Sequence, residues 1–250
     1  MIKILYAGDY ALISHTYIKG MNSWTSGQAF DERAYFLDAL REDGELAIDY
    51  LPTPYISRDF PSTPEALKKY DAVILSDVGT DTLLLYPDIF KIPMGANRLH
   101  LLADYVKEGG GFAAIGGWMS FGGQMGQGKY HGTVLEDILN VNASPYDDRV
   151  EVPEGFRYNP VKNDHPLIKD MGWEKSPLLF LGYNRFEARD SQGVLAEYNG
   201  DPMIVANRFG KGNTMAFASD LAPHWGQGFV SWENYSKFWG TCCRWLAGRL

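Results

Sequence analysis

The chain has 250 residues, of which 45% are hydrophobic, a composition that suits a packed globular protein and argues against a disordered one. Its formal net charge is −8, from 31 acidic and 23 basic side chains, so it would repel a polyanion such as nucleic acid. The sequence lacks the run of roughly 20 apolar residues that a membrane-spanning helix needs, and it lacks a signal-peptide core. We therefore expect a cytoplasmic protein without a nucleic-acid or membrane partner.

The cysteines and histidines give no sign of a disulfide framework or a metal site. The only cysteines, Cys242 and Cys243, are adjacent, and a bridge between neighbouring residues would be very strained. His15, His131 and His165 are scattered without the spacing of metal ligands. We expect no metal and no cofactor.

The first half of the chain alternates between strand and helix patterns. The predicted elements are strands at 2–7, 46–51, 71–77 and 112–115, and helices at 28–41, 64–69 and 95–108. The prolines between residues 52 and 64 are interpreted as breaks in regular structure. Alternation of this kind implies right-handed crossovers between parallel strands. The sequence therefore predicts an α/β fold with a doubly wound, mostly parallel, flavodoxin-like sheet in a single domain of residues 1–250.

The second half is less regular until its end. Residues 146–198 hold several prolines among short strand candidates, and we interpret them as an elaboration of the same domain. Strands at 193–198, 202–207 and 213–219, with the turn Gly210–Gly212, predict an added β-hairpin. A last helix at 232–250 carries an aromatic stripe that is typical of core packing, with Cys242 buried beside it.

Residues 105–118, YVKEGGGFAAIGGW, resemble the helix, glycine turn, strand and sharp elbow of class I glutamine amidotransferase-like proteins, including the trehalose-utilisation-like branch. Asn163–Leu167 is similar to an Asp-His-Pro motif of that branch. Gly210–Gly212, followed by Phe217–Asp220, resembles the closing hairpin of the same fold. The match extends over most of the chain, and the order of the motifs is more specific than any one of them.

The resemblance implies where a catalytic cysteine would stand. In active members of the family, a cysteine follows the strand in a strained turn, with its sulfur over a helix N-terminus and paired with a histidine. Alignment of the apolar strand 113–115 places Gly116 at that position and Gly117 after it. Since glycine carries no nucleophile, we expect no glutaminase activity by the family mechanism.

Ser120 offers an alternative nucleophile. Residues 118–122, WMSFG, are one residue short of a Gly-x-Ser-x-Gly elbow, and the chain order Ser120, Asp220, His224 matches that of α/β-hydrolases. The competing interpretation is a loop serine that bonds to the backbone. The glycine-rich segment Gly122–Gly128 could likewise cradle a phosphate or simply form a tight loop or lid.

His224 and Asp220 follow the last predicted core strand, near the place where the family's histidine comes. An exposed histidine beside Trp225 suits proton transfer or ligand recognition, and a packing histidine is the alternative. We take Asp220 and His224 as the candidate catalytic residues.

Aromatic and acidic residues follow several predicted strands. Tyr10, His15, Trp24, Trp118 and Trp225 all fall in predicted loops. Because the carboxyl ends of parallel strands meet at one edge of the sheet, a shared pocket is expected there. The candidate ligand-binding residues are Gly8, Asp9, Tyr10, Asp77, Gly116, Gly117, Trp118 and Trp225. Carboxylates and flat rings suit a small polar ligand such as a sugar, whereas loop aromatics could equally form the contact of a homo-oligomer, which we expect.

Three functions follow as hypotheses. The first is binding or transformation of a small polar metabolite at the elbow without cysteine catalysis. The second is a non-enzymatic interaction or regulatory module that uses loops Pro52–Pro64 and Tyr146–Pro177 as its contact surface. The third is a serine hydrolase, which requires Ser120 within hydrogen-bond reach of His224.

Overall fold

The structure of the protein is a computed structural model that describes residues 1–173 and 178–250. The strands are β1 (Ile2–Gly8), β2 (Tyr10–Lys19), β3 (Asn22–Asp31), β4 (Leu46–Pro52), β5 (Ala72–Ser76), β6 (Gly111–Ile115), β7 (Val141–Ala143), β8 (Arg149–Phe156), β9 (Asn159–Pro160), β10 (Phe180–Asn184), β11 (Phe186–Ala188), β12 (Val194–Tyr198), β13 (Asp201–Phe209) and β14 (Gly212–Phe217). The helices are α1 (Arg33–Leu40), α2 (Thr53–Asp59), α3 (Pro64–Leu67), α4 (Thr80–Leu84), α5 (Arg98–Glu108), α6 (Val134–Leu139), α7 (Gln227–Val230) and α8 (Tyr235–Leu246). Of the helices so described, none is long and apolar enough to cross a membrane.

A central sheet of eight strands has the order β4-β1-β5-β6-β14-β13-β12-β9. The five strands from β4 to β14 are parallel, and β13, β12 and β9 continue the sheet in antiparallel fashion. Counted along the chain, the parallel strands follow the order 2-1-3-4-5, which is that of flavodoxin-like folds. The predicted mostly parallel α/β sheet is therefore confirmed.

Helices cover both faces of this sheet. Every residue of β5 and β6 is buried, which requires packing on the two faces at once. Helix α1 packs on α8, where Phe36 meets Trp239 at 5.6 Å between ring centroids, while α2 contacts α4 and α4 contacts α5. The aromatic stripe of α8 lies in the core as predicted, and Cys242 and Cys243 are fully buried within it.

The predicted helix at 28–41 is wrong in its first part. Residues 28–31 end strand β3, which pairs with β2 in an antiparallel ribbon, and the helix α1 begins only at Arg33. Residues 10–31 are rich in β-branched and aromatic side chains, and Gly20, with φ +60°, forms the two-residue turn that joins the strands. Tyr10, His15 and Trp24 therefore lie on strands rather than in loops.

The proline-rich segment between β4 and β5 is more regular than the sequence predicted. Pro54 occupies the first turn of α2, where a missing N–H removes no helical hydrogen bond, so the chain forms a helix instead of the expected break. In the stretch 146–173 the chain forms β8 and β9. Pro177 lies outside the described residues.

The closing region agrees with the sequence. Strands β12, β13 and β14 follow the predicted runs, and the turn at residues 210–211 joins β13 to β14. Gly210 has φ +61° and packs against the backbone of Lys107, so a side chain there would clash. The added β-hairpin extends the parallel core on one side.

Candidate functional site

Four neighbouring strands end level with one another at one edge of the central sheet. The registers pair Gly8 of β1 with Ser76 of β5, Ser76 with Ile115 of β6, and Ile115 with Phe217 of β14. Strands lie about 4.8 Å apart, so the four ends span about 14 Å. The residues that follow three of these ends directly are Asp9, Asp77 and Gly116. The edge includes the point between β1 and β5 where the strand order reverses, which is where such sheets bind ligands.

Asp9 is buried behind the end of β1. Gly8 has φ +136°, and a Cβ atom on it would lie 1.8 Å from the carbonyl oxygen of Ser76, so only glycine lets the chain pass here. The Asp9 carboxyl accepts hydrogen bonds from the hydroxyls of Tyr6 and Ser76, the latter at 3.0 Å. Burial, together with the nearby Asp77 charge, raises the pKa of Asp9 to about 7.

Asp77 occupies the equivalent place after β5. Its carboxylate accepts a hydrogen bond of 2.5 Å from the backbone N–H of Met119. Burial, reinforced by the charge of Asp220, raises the pKa of Asp77 to about 7. Gly117 makes this contact possible, because a Cβ atom on it would lie 2.4 Å from the Asp77 carboxylate.

Gly116 stands where the resemblance placed the nucleophile, and the space around it is filled. Its N–H donates to the carbonyl of Phe217 at 2.8 Å. A Cβ atom on Gly116 would lie 2.3 Å from the carbonyl oxygen of Ala218 and 2.8 Å from the amide oxygen of Asn184. Any side chain at this position would therefore require the backbone around it to move.

Asn184 ties the elbow to its surroundings. This fully buried side chain accepts a hydrogen bond from the N–H of Gly117 at 2.9 Å and donates to Asp148 at 2.9 Å. Asp148 in turn accepts from the backbone N–H groups of Gly122 and Gly123, both at 2.8 Å. A protein carboxylate thus already uses the glycine-loop amides that could have held a phosphate.

His224 and Asp220 form a pair after β14. The ring Nδ1 of His224 lies 3.1 Å from the Asp220 carboxylate, which also accepts the N–H of Trp225 at 3.2 Å. Burial lowers the pKa of His224, whereas burial and the charge of Asp9 raise that of Asp220. The His224 side chain is 41% exposed, so its other ring nitrogen can reach a ligand.

Three residues of the site have left-handed backbone conformations. The φ angles are +46° at Asp9, +54° at Asp77 and +77° at His224. Few non-glycine residues adopt such angles, although Asp and His tolerate them better than most, and they concentrate at functional sites. The side chains that meet at the strand ends are therefore aimed by strained turns.

Trp118 forms one wall of the site. Its ring is 42% exposed, meets His224 edge to face at 5.1 Å between centroids, and lies 5.3 Å from the guanidinium of Arg149. Trp225, by contrast, is fully buried, and its ring N–H donates to Glu151 at 2.9 Å. Trp118 can contact a ligand directly, whereas Trp225 packs in the interior and anchors the segment after β14 that carries His224.

Some predicted residues lie at the margin of the site or away from it. Tyr10 begins β2 and leaves the site with that strand. His15 lies on β2, His131 contacts the carbonyl of Ala143, and His165 packs against Trp245 at 5.5 Å. Among the described residues, no group of three or more histidine, cysteine, aspartate or glutamate side chains is arranged to hold a metal ion.

The geometry does not favour Ser120 as a nucleophile. Its side chain is fully buried, and its hydroxyl donates to the carbonyl of Ile115 at 2.6 Å. Across residues 1–173 and 178–250, no hydrogen bond joins Ser120 to His224, whose ring faces Asp220 and Trp118 instead. The condition for the serine hydrolase is not met in this arrangement.

Sequence reasoning missed several residues of the site. Glu32 lies directly after β3, its N–H donates to the carbonyl of Asp9 at 3.0 Å, and burial, with the charge of Asp9, raises its pKa. Asn184 and Arg149 come from the irregular second half, where neither residue has a recognisable motif. Asn184 ends β10, which belongs to a separate two-stranded antiparallel sheet, so the rule for the carboxyl ends of parallel strands could not have found it.

A cavity of about 460 Å³ adjoins the site on the side of β8. Its wall includes Asp148 and Arg149, which also border the elbow, and the side chains of Arg185 and Asp201. Arg185 pairs with Asp201 at 2.8 Å, and Arg149 pairs with Asp147 at 2.9 Å. The lining thus carries four acidic residues, Asp147, Asp148, Glu187 and Asp201, against these two arginines, and it does not include the strand-end aspartates.

Comparison with known proteins agrees with this fold. The model of a family described as "Putative glutamine amidotransferase" matches residues 3–248. Cytoplasmic protein STM3548 from Salmonella typhimurium is 36% identical, with a TM-score of 0.90, over 98% of this chain and 99% of its own. Cytoplasmic protein STM1381 from Salmonella typhimurium LT2 is 37% identical, with a TM-score of 0.89, over the same shares of both chains.

A more distant structure shares the fold alone. A thua-like protein from Parabacteroides merdae is 12% identical, with a TM-score of 0.54, over 98% of this chain and 90% of its own. A search of curated proteins gave no match. The family model spans nearly the whole of this chain, and each of the two Salmonella proteins matches 98% of this chain. The chain therefore belongs to the glutamine amidotransferase-like family that this model describes.

Proposed function

We propose that this protein binds a small, polar, sugar-like metabolite at the strand-end site and does so without the cysteine chemistry of glutamine amidotransferases. One observation carries the proposal. Asp9, Asp77 and Asp220 follow β1, β5 and β14, of which β5 and β14 flank the strand that leads to Gly116, and the charges of these carboxyls raise one another's pKa values. Carboxyls that are neutral or shared at neutral pH can both donate and accept hydrogen bonds, which matches the hydroxyls of a sugar.

The lack of space at Gly116 supports the proposal that the protein acts without cysteine chemistry. A cysteine there would overlap the carbonyl of Ala218. Cys242 and Cys243 are fully buried in α8, and burial raises the pKa of both thiols, that of Cys243 to about 12. Neither thiol can supply the thiolate that glutaminase chemistry needs.

Trp118 and His224 complete the binding site in this proposal. An exposed indole provides a flat apolar surface for the C–H face of a sugar ring. The edge-to-face contact at 5.1 Å sets the His224 ring perpendicular to that surface. Burial lowers the pKa of His224, which favours the neutral ring, and a neutral ring can exchange a hydrogen bond with a bound hydroxyl.

Asp220 holds His224 in position next to the ligand. The contact of 3.1 Å at Nδ1 orients the ring and leaves the other nitrogen for the ligand. The pair gives the site the means for acid–base chemistry on a bound metabolite. We also infer a cytoplasmic location, because both similar Salmonella proteins carry that description in their names.

A thermal-shift screen of sugars, sugar acids and amino acids tests the proposal. A ligand at 100 times its dissociation constant should stabilise the fold by about 2.7 kcal/mol. The same ligand should stabilise Asp9→Ala, which lacks the carboxyl, much less than it stabilises the wild type. It should stabilise the matched control Asp104→Ala, a change at an exposed residue of α5, as much as the wild type. Equal stabilisation of both variants would place the ligand elsewhere and contradict the proposal.

A second function has a specific observation in its favour. The side chains of the β2–β3 ribbon are almost all exposed, and the interaction-module hypothesis needs a surface of that kind. From the sequence, the loops Pro52–Pro64 and Tyr146–Pro177 are the expected contact surface of such a module. In the structure residues 53–59 form a helix instead of a loop, and Pro177 lies outside the described residues. A screen in which no ligand class binds would favour this second function.

A further inference from the structure

The β2–β3 ribbon projects from the molecule, and no element of the described residues buries its side chains. Each strand has ten residues, and apart from Tyr10 every residue of both strands is exposed. Isolated two-stranded ribbons are only marginally stable in water unless another element packs on one face. We call residues 10–31 the arm.

One face of the arm is aromatic and apolar. Directly paired residues share a face, so the pairs Tyr17 with Trp24, and Ile13 with Gln28, place their side chains together with that of Phe30. Tyr17 and Trp24 stack at 5.1 Å between ring centroids and 12° between planes. The four large apolar side chains of this aromatic face, those of Ile13, Tyr17, Trp24 and Phe30, are 38% to 48% exposed.

The arm carries almost no charge. Lys19 and Asp31 are its only charged residues, in a chain whose net charge is −8. Interface cores are depleted of charge and enriched in aromatic side chains, as this face is. The arm is therefore built to contact another protein surface rather than to stay in solvent.

A second surface of the same chain has matching chemistry. Residues 85–93 follow α4 and expose Ile89, Phe90 and Ile92 by 56%, 87% and 95%. Asp88 and Lys91 are the only charged residues of this loop, so it is also neutral overall. An apolar, neutral loop is a suitable receiver for the aromatic face of an arm.

The area of the arm decides between two arrangements. A ten-residue ribbon is about 33 Å long and about 10 Å wide, so one face covers about 330 Å². Two arms packed face to face would bury only about 660 Å² in total, less than the roughly 1,200 Å² of a stable interface. Two arms that each lie on the body of the other copy would bury about 1,300 Å², which is sufficient.

We propose that the protein forms a two-fold symmetric dimer in which the aromatic face of each arm packs on the 85–93 loop of a second copy. The arrangement is reciprocal, as a two-fold axis requires. Both copies carry the same negative charge, and the contact itself is neutral, so salt should strengthen the dimer by screening the repulsion between the bodies.

Sedimentation velocity of the full chain tests the proposal. Protein concentrations between about 0.5 and 50 µM are on the order of the dissociation constants of common interfaces. The wild type should be dimeric at the upper concentrations, and more so in 0.5 M than in 0.05 M NaCl. Tyr17→Ser with Trp24→Ser should raise the dissociation constant by about a hundredfold or more, and so should Phe90→Ser with Ile92→Ser. Tyr146 is 76% exposed and lies outside both proposed contact surfaces. The control Tyr146→Ser should therefore leave the dissociation constant of the dimer unchanged.

Thiol labelling provides a second test that does not depend on destabilising variants. Both native cysteines are fully buried, so an introduced cysteine would be the only exposed thiol among the described residues. Ser26 lies on the aromatic face and Ser23 on the opposite face. Ser26→Cys should react slowly at 50 µM and quickly after dilution to 0.5 µM, whereas Ser23→Cys should react quickly at both concentrations.

Several results would overturn the proposal. A wild-type monomer at every concentration would do so, and so would a dimer that survives either pair of substitutions with its affinity unchanged. A monomer that instead co-sediments with phosphatidylcholine vesicles through the arm would assign the aromatic face to a lipid surface. Equal reactivity of Ser26→Cys at both concentrations would show that the aromatic face stays in solvent.

Discussion

A Cβ atom on Gly116 would lie 2.3 Å from the carbonyl oxygen of Ala218. This distance is far inside van der Waals contact, and the obstructing atom belongs to the backbone of the loop that leads to Asp220. The chain belongs to the glutamine amidotransferase-like family, and at the position where the resemblance places a nucleophile a side chain would meet the backbone. In our proposal, the acidic residues around the elbow bind the ligand instead.

Restoring the nucleophile should fail. Gly116→Cys is expected to lower the free energy of unfolding by about 3 kcal/mol or more, because Ala218 and Asn184 must move. Urea denaturation measures this, and a glutamine hydrolysis assay should show no activity above that of the wild type. Gly44→Cys is the control, since a Cβ there meets no atom within 4 Å. A Gly116→Cys variant as stable as this control would show that the elbow has room.

The native cysteines should be inert in the folded protein. Cys242 and Cys243 are fully buried, and burial raises the pKa of both thiols. Iodoacetamide at pH 8 should modify neither residue until urea unfolds the chain, as mass spectrometry would show. Stoichiometric alkylation without denaturant would mean that α8 opens, and would reopen the question of a thiol reaction.

The stability of the fold should depend on pH through Asp9. Its pKa is about 7 when folded, above the value of about 4 for an unfolded aspartate. Between these two pH values the folded chain binds the extra proton, so the contribution of Asp9 to stability is lost as pH rises from about 4 to about 7. Asp9→Asn keeps the shape of the neutral acid and should escape this loss.

We expect Asp9→Asn to be more stable than the wild type at pH 8, by on the order of 2 kcal/mol, with a small difference near pH 4.5. Urea denaturation at the two pH values gives the comparison. Asp104→Asn, on the exposed side of α5, should have the same stability as the wild type at both pH values. If Asp9→Asn were less stable than the wild type at pH 8, the pKa of Asp9 would not be raised in the folded state.

Asn184 should be essential for the elbow. Its replacement by alanine leaves the N–H of Gly117 without its partner and removes one of the two hydrogen bonds that Oδ1 of Asp148 accepts. The expected loss is about 2 to 4 kcal/mol in the free energy of unfolding. Asn159→Ala, which removes only an exposed contact of 3.4 Å to Glu197, should change stability by less than about 0.5 kcal/mol. Comparable losses in the two variants would contradict the role given to Asn184.

The parallel sheet could be predicted from the sequence because its signals are local. An apolar run such as 72–76 is buried on both faces and ends in a polar residue, and both features can be read directly. The rule that parallel strands present their carboxyl ends together also predicts that Asp9, Asp77 and Gly116 share one edge of the sheet. The family resemblance located Gly116 at the elbow, and the structure adds the reason that nothing larger fits.

The arm and the inner residues of the site could not be predicted in the same way. Residues 28–31 carry apolar spacing that fits the start of a helix, and only pairing with β2 turns them into a strand. Asn184 acts through contacts with residues 36 to 67 positions away along the chain. Long-range contacts of this kind leave no periodic pattern in a single sequence.

Calorimetric titration of the best ligand from the screen into the wild type, Trp118→Ala and Tyr146→Ala tests the central claim most directly. Trp118 is the exposed ring of the site, and Tyr146 is an exposed ring outside it. We expect Trp118→Ala to weaken binding by about tenfold or more, since aromatic contacts of this kind contribute about 1.4 kcal/mol, while Tyr146→Ala binds as the wild type does. Wild-type affinity in Trp118→Ala would contradict the claim that the metabolite binds at the strand-end site.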